Sequence, residues 1–112
     1  MNLYNIYDAA AGKYFGRFYH LQNDSHAIRA FQQALIEDKQ MNQAPDDFTL
    51  FRVGTYDDDK GFPEGHLPER VITGLDALKS LAKQRAKLAD LHQQIEKITE
   101  TGQYPSDTPE IQ

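Results

Sequence analysis

Four residues near the start of the chain have types and spacing suited to chemistry: Lys13, Tyr14, Arg17 and Tyr19. Flat rings stack on other flat rings, and cationic side chains meet phosphate oxygens. Together these four could hold one strand of a nucleic acid. The competing reading is packing. A chain without tryptophan must fill its core with Phe and Tyr, and Phe15 and Phe18 lie in the same stretch. A second group is the basic run Lys79, Lys83, Arg85 and Lys87, with no acid between residues 77 and 89. Lys79, Lys83 and Lys87 recur every fourth residue, so in an isolated helix like charges repel along one stripe. An anionic partner relieves that repulsion, either phosphate or the acidic stretch 37–69 of this or a neighbouring chain.

Other constellations fail on geometry. Asp57-Asp58-Asp59-Lys60-Gly61 invites a calcium loop, but such a loop needs Gly at its sixth position and Glu at its twelfth. Phe62 and Pro68 stand there, so the stretch reads as a polar turn. His20, His26, His66 and His92 are dispersed and no pair has ligand spacing, so no metal site is expected. There is no cysteine, no glycine-rich phosphate loop and no nucleophile elbow. The expectation is a protein that is not an enzyme and uses no cofactor.

The elements that must position these residues follow from periodicity. Leu3 to Tyr7 is rich in β-formers, and Tyr14 to Leu21 alternates, with Phe15, Arg17 and Tyr19 on one face and Tyr14, Phe18 and His20 on the other. Asn23-Asp24-Ser25 can cap a helix in which Ala27, Ile28, Phe31, Ala34 and Leu35 share a face. Phe48 to Tyr56 is apolar on both faces and reads as a central strand. Pro63, Gly65 and Pro68 predict an extended connector over 62–70. A long helix follows, capped by Thr73 or Asp76 and stopped by Gly102 and Pro105. Its seam is Ala77, Leu81, Gln84, Leu88, Leu91, Ile95 and Ile98, about three heptads with one polar position.

Length and charge bound the rest. The chain has 112 residues, 39% of them hydrophobic, and a net charge of −5. That fits one modest core. The charge is segmented: nine acids face three bases over 37–69, and six bases face three acids over 70–97. No apolar run approaches the roughly 20 residues of a membrane span, and the start of the chain does not read as a signal peptide.

The order of segments is recognisable. Tyr4-Asn5-Ile6-Tyr7-Asp8 precedes an aromatic strand and a helix carrying His26-Ala27-Ile28-Arg29-Ala30-Phe31. Then come Pro45-Asp46-Asp47-Phe48 and Leu50-Phe51-Arg52-Val53-Gly54-Thr55-Tyr56, running into Asp57-Asp58-Asp59-Lys60-Gly61. From residue 1 to about 72 this resembles the small non-structural protein of gokushoviruses, single-stranded DNA phages of the Microviridae. The resemblance implies a DNA-binding accessory protein in the cytoplasm of the infected bacterium, with a role in the switch from genome replication to packaging. Viral capsid or replication proteins are further expected partners. The long helix and the acidity depart from the family's usual form.

The expected fold is α+β. A small antiparallel sheet (2–8, 13–21, 47–56) packs on the 24–38 helix and makes a domain over 1–72. A long coiled-coil-like helix over 73–101 pairs with its copy in a homodimer, and 102–112 forms a disordered tail. Single-stranded DNA is the expected ligand, held by Lys13, Tyr14, Arg17, Tyr19, Lys79, Lys83, Arg85 and Lys87. The rival reading is an oligomeric interaction or scaffold protein that contacts viral or host proteins and no DNA.

Overall fold

A computed structural model describes residues 1–15 and 18–101, the last two through their backbone alone. It has two compact units, Met1–Lys79 and Ser80–Gln112. The architecture is α+β, as expected.

Strand β1 (Asn2–Asp8) is central to the first unit. One of its edges pairs antiparallel with β2 (Lys13–Tyr14) and β3 (Tyr19–Leu21), the other with β4 (Phe48–Asp57). Beyond β4 lies β5 (Phe62–Thr73) at the free edge. The continuous strand expected over 13–21 is thus two short pieces. Gly16 and Arg17 between them lie outside the described residues, as does the tail over 102–112. The β1–β2 turn is built by Asp8, whose carboxylate accepts from the amides of Ala10 and Ala11 at 3.0 and 3.2 Å. Gly12 closes it at φ 68°, a region that favours glycine.

Helix α1 (Asp24–Glu37) starts where the sequence predicts, with Asn23 Oδ1 accepting from the His26 amide at 3.0 Å. Its buried stripe is Ala27, Phe31 and Leu35, four residues apart. Asp38 then serves twice. Its amide donates to the Ala34 carbonyl and ends α1, while its carboxylate accepts from the Met41 amide at 3.0 Å and starts α2 (Lys39–Gln43). The second helix, absent from the expected fold, buries Met41.

The core lies between α1 and one face of the sheet. Tyr4, Ile6, Phe48 and Leu50 supply the sheet side, and Phe31, Leu35, Met41 and Ala77 complete it. Burying each large apolar side chain contributes about 1.5–3 kcal/mol. Ala77 comes from the first turns of α3 (Gly74–Thr101), whose start is capped by Thr73 Oγ1 accepting from the Asp76 amide at 3.2 Å. Gln32 Nε2, also buried, donates to the Ala77 carbonyl at 3.0 Å. Ala77 was expected on the oligomer seam. It is instead fully buried in the first unit's own core, because the helix begins flush against strand β4's entry. The described part of the second unit is helix alone. A lone helix has no inside, so Leu88, Leu91 and Ile95 stay about half exposed.

Strand β5 replaces the expected connector. It pairs with β4 along its length, with irregularities opposite Leu50 and Val53. The turn between the two strands is a polar hairpin turn. Asp57 Oδ1 accepts from the amides of Asp59 and Lys60 at 2.9 and 3.2 Å, and Gly61 takes φ 75°.

Candidate nucleic-acid interface

Only one face of the sheet can lie under α1. In β1 and β4 the residues facing the helix alternate with Leu3, Asn5, Tyr7, Phe51 and Val53; Asn5 is buried and the other four are half-buried. Tyr7 and Tyr14 are directly opposite each other across β1 and β2. Their rings meet edge-to-face at 5.0 Å. Phe51 of β4 touches both, at 6.2 and 5.9 Å, again edge-to-face. Three rings on three adjacent strands therefore form one aromatic patch, each holding the others' rotamers. Edge-to-face packing of this kind contributes about 0.5–1.5 kcal/mol per pair beyond burial. The register sets Arg70 of β5 directly beside Phe51, and Arg70 is exposed.

The same face continues into a cleft of about 720 Å3. Its walls include Leu3, Phe18, His20, Val53 and Tyr56, and the His20 and Tyr56 rings meet at 4.9 Å. Phe18 is 60% exposed, a large apolar ring facing water without cover.

The opposite face carries an ionic network instead. Tyr4 donates to Asp24 Oδ1 at 2.5 Å and accepts from Asn2 Nδ2 at 3.1 Å. Arg52 pairs with Asp24 at 3.1 Å and with Glu69. Burial, then the bond to Asp24, raises the Tyr4 pKa. Hydrogen bonding to Glu69 holds the proton on Arg52 more tightly, and the same bond lowers the Glu69 pKa. A lowered carboxylate contributes stability that is complete above its ordinary range and lost as pH falls through the lowered value. Thermal unfolding midpoints are therefore expected to fall on acidification below the usual glutamate range. Glu69→Gln should remove part of that dependence, and identical pH profiles for both chains would exclude it.

The predicted site residues scatter. Tyr14 lies on the open aromatic face. Lys13 pairs with Asp8 in register and so lies on the alternate side from Tyr14. Tyr19 packs against the core on the α1 side, where it lines a groove with Phe15. Arg17 lies outside the described residues. The structure therefore does not bring Tyr14 and Tyr19 onto one surface, a correction that strand alternation itself explains. That alternation, with Tyr14, Phe18 and His20 opposed to Phe15 and Tyr19, survives the break in the strand. Lys79, Lys83, Arg85 and Lys87 are exposed on α3, the first in one compact unit and the rest in the other. Leu81, Gln84 and Ile98 share that helix with the half-exposed Leu88, Leu91 and Ile95. Tyr7, Phe51, His20 and Tyr56 were not anticipated as site residues. The available signal was Phe51 and Val53 on the second apolar face of β4, which a single short helix cannot cover.

Among the described residues no group of three or more His, Asp or Glu side chains is arranged to hold a metal ion. No described helix is long and apolar enough to cross a membrane.

A family model described as phage ORF5 protein matches residues 1–77. The match ends at the buried Ala77, two residues short of the first compact unit's limit. Comparison with curated proteins and with solved structures gives no match.

Proposed function

The chain belongs to the phage ORF5 protein family, and from that premise we propose that it is a phage accessory protein that binds single-stranded DNA on the face of its sheet opposite α1. The observation that carries this reading is the patch of Tyr7, Tyr14 and Phe51, three preorganised rings on neighbouring strands. Unpaired bases offer flat faces to such rings, whereas bases in a duplex are already stacked on one another. The cytoplasm of the infected bacterium, where viral single strands are made, is the compartment in which the protein acts.

Stacking rather than charge drives the binding. The net charge is −5, and Arg70 is the cation that the register sets beside the rings. Each phosphate neutralised on a single strand adds about 0.7 to the slope of log affinity against log salt. The face alone predicts a slope of about −1. Participation of Lys79, Lys83, Arg85 and Lys87 would steepen it by roughly 3 more.

The test is a titration of the full chain against fluorescent single- and double-stranded oligonucleotides at two salt concentrations. Preferential binding of the single strand with a shallow slope supports the reading. No binding at low salt, or equal binding of the duplex, removes it.

A further inference from the structure

On the side of the sheet away from the aromatic patch lies a second concavity of about 730 Å3. Phe15 and Tyr19 form one wall, Ala30 and Ala34 of α1 the floor, and Glu37 and Asp38 stand at its end. Phe15 stays 41% exposed although its ring edge meets Phe48 at 5.4 Å. The alanines, one turn apart, leave α1 without bulk there, so another helix can approach closely. Glu37 accepts from Gln33 and Asp38 from the Met41 amide, and neither carboxylate has a cationic partner among the described residues.

The complement to this groove is present in the same sequence. Counting heptads from Leu81 and Leu88, the residues flanking the apolar seam from 85 to 99 are Arg85, Lys87, His92, Gln94 and Thr99. None is acidic. Two such helices zipped seam to seam would bring their cations together with no flanking carboxylate to offset them, which disfavours that pairing. A groove with aromatic walls and two carboxylates offers the leucines cover and the cations a counter-charge.

We propose that the groove receives the Leu81–Leu88 stretch of α3 from a second copy of this chain, with Arg85 and Lys87 meeting Glu37 and Asp38. Under two-fold symmetry the exchange is reciprocal, and each copy gives a helix and takes one. The homodimer expected from the sequence is kept, but its helix lies on the partner's groove instead of its partner's helix. The inference does not rest on DNA binding, because the aromatic patch is on the other face.

The experiment is sedimentation equilibrium on the full chain with charge-swapped variants, each checked by circular dichroism for an intact fold. Glu37→Lys alters an exposed carboxylate at the groove. Arg85→Glu with Lys87→Glu alters the helix in a second protein. The wild type is expected to dimerise, and each variant alone to dimerise at least about tenfold more weakly. An equimolar mixture of the two variants should dimerise again, since both contacts are then complementary. A monomeric wild type at high micromolar concentration overturns the proposal. So does a Glu37→Lys dimer of undiminished strength, which would mean seam-to-seam pairing. A mixture that dimerises no better than either variant alone would mean that the helix does not enter the partner's groove, and would also overturn it.

Discussion

Gly74→Ala is expected to cost this protein about 3 kcal/mol or more of folding free energy, at the upper end of what overpacking does. Gly74 joins β5 to α3, and a Cβ there would stand 2.0 Å from the Pro45 carbonyl oxygen and 3.0 Å from its carbon. The Phe48 carbonyl oxygen would be 3.1 Å away. All three are backbone atoms, fixed by the 3-10 turn Pro45–Asp47 and the entry to β4, so no side chain can swing aside. The helix start or the turn must move, and either movement lifts Ala77 out of the core. For a unit of this size each kcal/mol lowers the midpoint by roughly 4–8 °C, so a fall of roughly 12–24 °C is expected in a thermal melt. Gly12→Ala is the control. It meets no atom within 4 Å and pays only for its positive φ, about 1 kcal/mol. Equal midpoints for the two variants would show that the helix start is free to shift away from Pro45.

The second large effect falls on binding. Tyr14→Ala is expected to weaken affinity for a single-stranded oligonucleotide roughly 5- to 150-fold, the equivalent of the 1–3 kcal/mol that stacking on an aromatic ring contributes per base. The loss has two parts: the ring itself, and the rotameric support it gives Tyr7 and Phe51 through its two edge contacts. Tyr14 is the informative position because it sits on a two-residue strand at the sheet edge and is only half-buried, so its removal spares the core. Phe51 in central β4 would confound affinity with stability. Tyr14→Phe keeps the ring and should bind as the wild type does. Lys13→Gln changes a cation on the alternate side and should change affinity little. Wild-type affinity in Tyr14→Ala, measured by fluorescence anisotropy, would show that the patch is not where bases stack.

Much of the fold was legible because local rules and tertiary demands agree. Asn23 caps α1 by the geometry its residue type favours, and Ala27, Phe31 and Leu35 turn inward at helical spacing. The turn at Asp57 to Gly61 follows from an Asp that bonds its own backbone and a Gly free to take positive φ. Strand β5 was not legible, because Pro63, Gly65 and Pro68 argue against a strand in general. An edge strand needs only one side of its backbone paired and so tolerates them. The site was half legible. Alternation told which residues of 14–20 share a face, but not which face the helix would cover. Phe51 therefore read as buried on both sides, and Tyr14 was grouped with Tyr19, which points the other way. Likewise the helical seam was visible in the spacing, while the burial of Ala77 depends on where α3 begins relative to β4.

One property of β5 bears on how the protein avoids aggregating. An outermost strand is an open template on which another chain's strand can add and start a fibril. Here two prolines remove backbone donors, and opposite Val53 the strand bulges through His66, Leu67 and Pro68 before pairing resumes at Gly65. A ribbon growing along that edge would lose register at each of these points. The protein can thus leave Leu67 87% exposed on its rim and still resist runaway self-polymerisation, because what would propagate such growth is a straight, fully bonded border, and this border is neither.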